Sequence, residues 1–289
     1  MFMDVQARQR VIGLAGRPLL LGIVNVTPDS FSDGGRYFDS EAAVAHAVRL
    51  VDEGADMLDI GAESTRPGAA PVEAIEELRR LIPVVKAIAK AVAVPISVDT
   101  SKASVAKAAI DEGAVIVNDV TGLQGDPAMV DLIAQTGAGI VLMHMQGTPQ
   151  TMQQAPEYHD VVEDVAAFLS AQAQYAIGRG VAQSQIILDP GIGFGKLLVQ
   201  NLDLLGQLSR FVQLGYPLLI GPSRKSFIGQ LTGQPVEDRA WGTAAAVAIA
   251  VEQGAHILRV HDVRAMRDVV EVAAAITRRK KSSLKEQHA

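Results

Sequence analysis

The sequence predicts a single-domain α/β fold, a (β/α)8 TIM barrel, and three observations carry that prediction. Short apolar runs alternate with amphipathic helical stretches along the chain, eight times over. A phrase in which a helical stretch closes on Gly-Ala before a β-branched run recurs as EGADMLDIG from Glu53, EGAVIVNDV from Glu112, TGAGIVLMH from Thr136 and QGAHILRVH from Gln253. Such a glycine suits the left-handed position that ends a helix, and the run after it suits a buried parallel strand. Seven of the apolar runs stop on a polar side chain: Asn25, Asp59, Asp99, Asn118, His144, Asp189 and the Arg259/His261 pair. One polar strand end is a cap or a turn. Recurrence along the whole chain points instead to a place where the strand ends converge.

Element by element, the chain opens with a predicted hairpin, Val11–Leu14, the turn Ala15-Gly16-Arg17-Pro18 and Leu19 onward, placed to close the barrel floor. Barrel strands are expected at Leu20–Asn25, Met57–Gly61, Pro95–Asp99, Val115–Asp119, Gly139–His144, Ile186–Asp189, Pro217–Gly221 and His256–His261. Amphipathic helices fit between them, for example Ser40–Glu53 and Val72–Ala91. The βαβα alternation contains no internal antiparallel hairpin, which argues for a parallel sheet. A length of 289 residues suits one barrel, since such barrels commonly take ~250 residues. No linker divides the chain, so residues 1–277 are expected to form one catalytic domain, followed by a basic, disordered tail over 278–289.

Composition narrows the function classes. Hydrophobic content of 48% with 20% charge is that of a globular chain with ample core. The absence of cysteine removes disulfides, thiolate metal sites and cysteine nucleophiles, and suits the cytoplasm. The first ten residues carry no signal-peptide stretch, and no segment reaches the ~20 apolar residues that span a bilayer. A net charge of −6, with one basic cluster at Arg278–Lys281, offers no footprint for nucleic acid.

In a parallel α/β barrel the site lies at the carboxyl ends of the strands. Alternation puts Ser97 with Asp99, Ile187 with Asp189, and Arg259 with His261, each pair on one face. On the fifth strand either Met143 or His144 points inward. Asp99 and Asp189, with Asn118 between them, would accept hydrogen bonds from a flat heterocycle rich in ring N–H and amino groups. The segment GPSRKSFIG from Gly221 brings Lys225 and Ser226 to a helix start, and Arg259 and His261 lie just before the next one, together an anion-binding region. An acidic patch and a cationic patch are therefore expected a few ångströms apart in one cup. Two long glycine-rich loops, NVTPDSFSDGG from Asn25 and ESTRPGAAP from Glu63, read as lids, with Phe31, Asp33 and Arg66 to contribute. Asn25 offers a hard amide oxygen suited to Mg²⁺ shared with phosphate. DPGIGFGK from Asp189 fails as a P-loop, since Pro190 stands where the first glycine should and Leu197 follows Lys196. Trp241 is expected in the core or at an interface.

Taken in order, NVTPDSFSDGG, ESTRPGA, SVDTSK, VNDV, MHMQGTPQTMQ, LDPGIGFGK, GPSRKSFIG and RVHDV resemble the bacterial dihydropteroate synthase family from about Leu21 to Val263. The resemblance implies a transferase of folate synthesis, and the target of sulfonamides, that joins 6-hydroxymethyl-7,8-dihydropterin diphosphate to p-aminobenzoate with release of pyrophosphate. By similarity, Asp99, Asn118, Met143, Asp189, Gly193, Lys225 and Arg259 hold the pterin. Asn25, Arg66, Arg259 and His261 bind the diphosphate, Asn25 with Mg²⁺. Thr65, Arg66, Pro67, Phe194 and Ser226 shape the aminobenzoate site, under loops containing Phe31 and Asp33. Asp99, Lys225, Arg259 and His261 carry the chemistry, and the family is a homodimer. Two alternatives stay open at this point: a non-catalytic pterin-binding paralogue and a pterin-dependent methyltransferase. Leu197 and Leu198 stand where more polar loop residues were expected.

Overall fold

The computed structural model describes residues 4–26, 36–66 and 68–286, apart from the side chains of 36–39 and 281–286. A two-stranded antiparallel hairpin, β1 (Val5–Ala7) and β2 (Arg10–Ile12), precedes the barrel. The barrel strands are β3 (Leu19–Asn25), β4 (Met57–Gly61), β5 (Ile96–Asp99), β6 (Ile116–Asp119), β7 (Gly139–Met143), β8 (Ile186–Asp189), β9 (Leu219–Ile220) and β10 (Ile257–Val260). Helices α1 (Arg36–Asp52), α2 (Ala74–Ala91), α3 (Ala103–Asp111), α4 (Met129–Thr136), α5 (Val161–Gly178), α6 (Leu198–Gly206), α7 (Leu208–Val212), α8 (Ser226–Thr232), α9 (Ala240–Glu252) and α10 (Val263–Glu286) lie between and after them.

All pairings in the barrel sheet are parallel, in the order β8-β7-β6-β5-β4-β3-β10-β9. A parallel bridge between Leu188 and Leu218, with the Leu188 N–H donating to Pro217 O at 2.9 Å, joins the two edges and closes the ring. The architecture is the (β/α)8 barrel the sequence predicts. Strand β9 is shorter than expected, because Pro217 has no N–H to offer a ladder and the chain turns away after Ile220.

The repeated Gly-Ala phrase works as an αβ junction at all four places. Gly54, Gly113, Gly137 and Gly254 have φ of 104°, 120°, 67° and 96°, a region a side chain resists. Each reversal drops the chain into a strand whose alternate residues face opposite ways. Outward residues such as Leu20, Leu58, Val98, Val117, Ile140, Leu188 and Leu258 pack under the helices. Inward residues Leu21, Met57, Ile116, Val141, Ile187, Leu219 and Ile257 fill the lower barrel.

Two expectations need correction. The floor is plugged by a hairpin, but by Val5, Ala7 and Ile12 of β1 and β2, which join the inner cluster. The turn is Arg8-Gln9, with Arg8 at φ 58°, and Ala15–Pro18 only connects β2 to β3. The apolar alternation of Val5 and Ala7 was too short to read against the turn residues that follow it. The basic stretch expected in a disordered tail is helical: α10 runs through Arg278–Lys281 to Glu286, and Lys280 Nζ pairs with Glu252 Oε1 at 2.7 Å. The helical period of the preceding apolar residues carries past the last buried position. Among the described residues, no helix is long and apolar enough to cross a membrane.

Candidate active site

The inward parity that fills the floor with hydrocarbon becomes polar two residues further along the same strands. Asp59 is buried in the middle of β4, Asp99 at the end of β5, Asn118 on β6 and Asp189 at the end of β8. The register pairs Asp99 with Asn118 and Met143 with Asp189, so these side chains rise around one mouth. Met143 follows Val141 inward and packs with Val120, Met152 and Phe194. His144 points outward, its ring 4.9 Å from Phe168 and 5.9 Å from Tyr158, which settles the parity of this strand.

The cation of β10 sits inside the acidic group. Arg259 Nε donates to Asp59 Oδ2 at 2.6 Å and its NH2 group to Asp99 Oδ2 at 2.8 Å. Asn118 Nδ2 donates to the same Asp59 oxygen at 3.1 Å. The two expected patches are thus in direct contact in one cup. Asp59 Oδ1, Ser97 Oγ and Asn118 Oδ1 are buried and have no hydrogen-bond partner among the described residues. Buried acceptors left in that state cost free energy, so a donor-bearing ligand recovers it. Burial pushes the Asp99 carboxyl up from the ordinary carboxylate range, and the Arg259 guanidinium opposes the shift. Asp189 accepts from the Gly191 N–H at 2.7 Å, and burial lifts it to about 6 against the pull of that bond and of Lys225.

Lys225 caps the start of α8 with extended backbone and sends its ammonium 3.8 Å above the Phe194 ring centroid. Burial and then Arg259 pull it down to about 8, while Asp189 and Asp99 oppose. A Cβ on Gly193 would stand 2.9 Å from Lys225 Cδ, and Gly193 has φ 83°, so this position needs glycine to let the lysine pass. His261 ends the inward row of β10, and burial, then Arg259 and Arg224, draw its ring down to about 3. These influences favour its neutral form.

Arg224 does not join the anion-binding group. Its guanidinium is held by Asp262 through Nε at 3.0 Å and NH2 at 2.5 Å, and its backbone, at φ 57°, is fixed by Thr243 Oγ1 and by Arg239. That pair fastens the turn before α8 to the start of α10.

The second loop only partly joins this group. Thr65 and Asp99 line a cavity of ≈ 280 Å³ together with Glu63, Lys102, Thr121 and Met145. The Arg66 side chain is exposed, and the loop rests on the neighbouring one through Gly68 N–H to Pro149 O at 2.9 Å. Ser226 is exposed at the start of α8. Phe31, Asp33 and Pro67 lie outside the described residues.

Three contributors escaped the sequence reading. Asp59 was noted as a strand end but given no role, although an Asp inside the apolar run MLDIG is itself the signal. Lys196 was judged only as part of a failed P-loop. In the structure its buried Nζ reaches His144 Nδ1 at 3.0 Å, Gly191 O at 3.0 Å and Phe194 O at 2.8 Å, drawing the 191–196 turn around it. Ser223 carries no sequence signal beyond membership of GPSRKS.

Residues 21–261 match the profile of the family described as pterin binding enzyme. The chain belongs to the pterin-binding enzymes. A pterin-binding relative from Synechocystis sp., a dihydropteroate synthase, is 48% identical over 263 residues, covering 91% of each chain. The solved structure of Xanthomonas albilineans dihydropteroate synthase with 4-aminobenzoic acid is 46% identical, covers 96% of this chain and 98% of its own, and has a TM-score of 0.90. The Yersinia pestis dihydropteroate synthase with a sulfonamide drug complex is 44% identical, covers 97% and 100%, and has a TM-score of 0.88.

Proposed function

We propose that the protein is a dihydropteroate synthase: it joins 6-hydroxymethyl-7,8-dihydropterin diphosphate to p-aminobenzoate and releases pyrophosphate. The observation that carries this reading is the Arg259–Asp99 contact, a guanidinium ion-paired inside a ring of buried acceptors, because the substrate has a donor-rich ring joined to a polyanion. Asp99, Asn118 and Asp189 would accept from the ring, with Met143 and Gly193 lining it, Lys225 donating to it and Arg259 flanking it.

In the reaction the bond between the pterin methylene carbon and the diphosphate oxygen breaks, and its electron pair leaves with pyrophosphate. The aminobenzoate nitrogen then forms the new bond to that carbon and loses a proton. Positive charge grows on the pterin as the leaving group departs, and Asp99 is placed to face it. A second positive neighbour beside Arg259 draws the Asp99 carboxyl toward its ionised form, which stabilises the transition state more than the ground state. Arg259, His261 and Asn25, with Arg66 from the second loop, would hold the diphosphate. Thr65, Arg66, Phe194 and Ser226 would surround the aminobenzoate, and the same place would accept sulfonamides.

Mg²⁺ fits as a partner of Asn25. This residue closes β3, half-buried, and carries a hard amide oxygen of the kind such a cation takes. Mg²⁺ keeps several waters and takes substrate phosphate oxygens, so a single amide oxygen beside the diphosphate would suit it. Bound there, it would neutralise charge on the leaving group.

The working unit is proposed as a cytoplasmic homodimer. Trp241, which is 88% exposed, Ile249 on the same helix, and Val272 and Ile276 on the packed neighbour α10 offer apolar surface for a second copy. Pyrophosphate formation from the pterin diphosphate, with and without p-aminobenzoate and Mg²⁺, tests the activity. Release that ignores p-aminobenzoate would overturn it.

A further inference from the structure

Ser223 is buried at the turn before α8, only 5% exposed, and meets His261 twice. The His261 backbone N–H donates to Ser223 Oγ at 3.1 Å, and His261 Nδ1 lies 2.9 Å from the same oxygen. Two proton arrangements are possible across the second contact. With a proton on Nδ1, Oγ would accept twice, and its own hydroxyl proton would be buried without an acceptor, since among the described residues only Nδ1 lies within its reach. With the hydroxyl donating to the Nδ1 lone pair, every group is satisfied. The ring proton then sits on Nε2, which has no protein partner among the described residues.

We propose that Ser223 is a positioning residue that fixes His261 as its Nε2–H tautomer, so that the ring presents a donor and not a lone pair to the departing diphosphate. The inference rests on the placement of His261 at the diphosphate. Its surroundings make the distinction matter. Burial and the nearby charges of Arg259, Arg224 and Lys225 favour the neutral imidazole, and Asp262 opposes them. A neutral imidazole can help a polyanion only through its N–H, and the wrong tautomer would aim a lone pair at phosphate oxygens.

Ring-¹⁵N-histidine NMR of the full chain at neutral pH tests this, with the His261 signals identified by their loss in His261→Gln. The expected wild-type spectrum has an unprotonated Nδ1 and a protonated Nε2, and added pyrophosphate moves the Nε2 signal. Ser223→Ala is expected to mix the tautomers and to weaken pyrophosphate binding about tenfold, while the affinity for hydroxymethyl-dihydropterin, which lacks the diphosphate, is unchanged. A wild-type ring protonated on Nδ1, or a tautomer population identical in Ser223→Ala, overturns the role of Ser223. The wild-type spectrum decides the tautomer even if the variant does not fold. An Nε2 signal indifferent to pyrophosphate overturns instead the placement of His261 on which the inference rests.

Discussion

The floor and the mouth of this barrel are built by the same strands, two residues apart, and they follow opposite rules. On the floor, Met57, Ile116, Val141, Ile187 and Ile257 are at most 1% exposed and close-packed around the hairpin side chains Val5 and Ala7. At the mouth, Asp59, Asn118, Asp189 and Arg259 take the next inward positions of their own strands. There Asp59, Asn118 and Asp189 are buried and Arg259 half-buried, yet among the described residues Asp59 Oδ1 and Asn118 Oδ1 have no hydrogen-bond partner. The floor is at its free-energy minimum without a ligand. The mouth is held short of one, and the missing hydrogen bonds are those a substrate would supply.

This contrast can be broken by mutation. The largest effect is expected at the mouth: Asp99→Asn should lower kcat by about 10²–10³-fold while weakening pterin binding far less. Its melting temperature should hold or rise, because a buried carboxylate is removed. Equal losses in turnover and affinity would remove Asp99 from the transition state. On the floor, Ile187→Ala should cost about 2–5 kcal/mol in urea unfolding, with kcat per folded molecule unchanged. A catalytic loss without a stability loss there would erase the distinction between the two layers. Lys225→Ala should weaken pterin binding by about 2 kcal/mol, the worth of a hydrogen bond from a charged donor, read by calorimetry. Unchanged affinity would take that lysine off the ring.

A further effect is one of pH. Asp189 titrates at about 6 in the folded protein, above the ~3.9 of an unfolded aspartate. The folded state therefore binds the extra proton first. The contribution of Asp189 to stability is full below the unfolded value and is lost as pH rises through about 6. Pterin affinity should run the other way and fall as pH drops below about 6, since the acceptor is then protonated. Asp189→Asn should flatten both trends. Stability and affinity that change together would contradict the assignment of Asp189 to the pterin ring.

Much of this was readable beforehand, and the exceptions share a cause. The strands were legible because each is an apolar run delimited by a glycine junction and a polar end. Asp99, Asn118, Asp189 and Arg259 were legible because they interrupt such runs at the same end. The Arg224–Asp262 pair was not legible: the two residues lie 38 positions apart, and only the closed ring brings them together. Lys196 resembled a phosphate-binding lysine in sequence, and its partners come both from its own turn, Gly191 O and Phe194 O, and from His144 at the end of the neighbouring strand. The hairpin slipped because three-residue strands carry too little alternation to outvote a Gly-Pro turn nearby.

The chain by itself determined the alternation of elements, the polar character of the strand ends and the family to which they belong, because these depend on neighbours within a few positions. Tertiary structure alone decided which face of β7 looks inward, that Arg259 bridges Asp59 and Asp99 across 200 and 160 residues, and that Ser223 grips His261. Alternation fixes only that successive side chains point opposite ways. Which of the two ways is inside is set by register with the next strand, and that is a property of the closed ring.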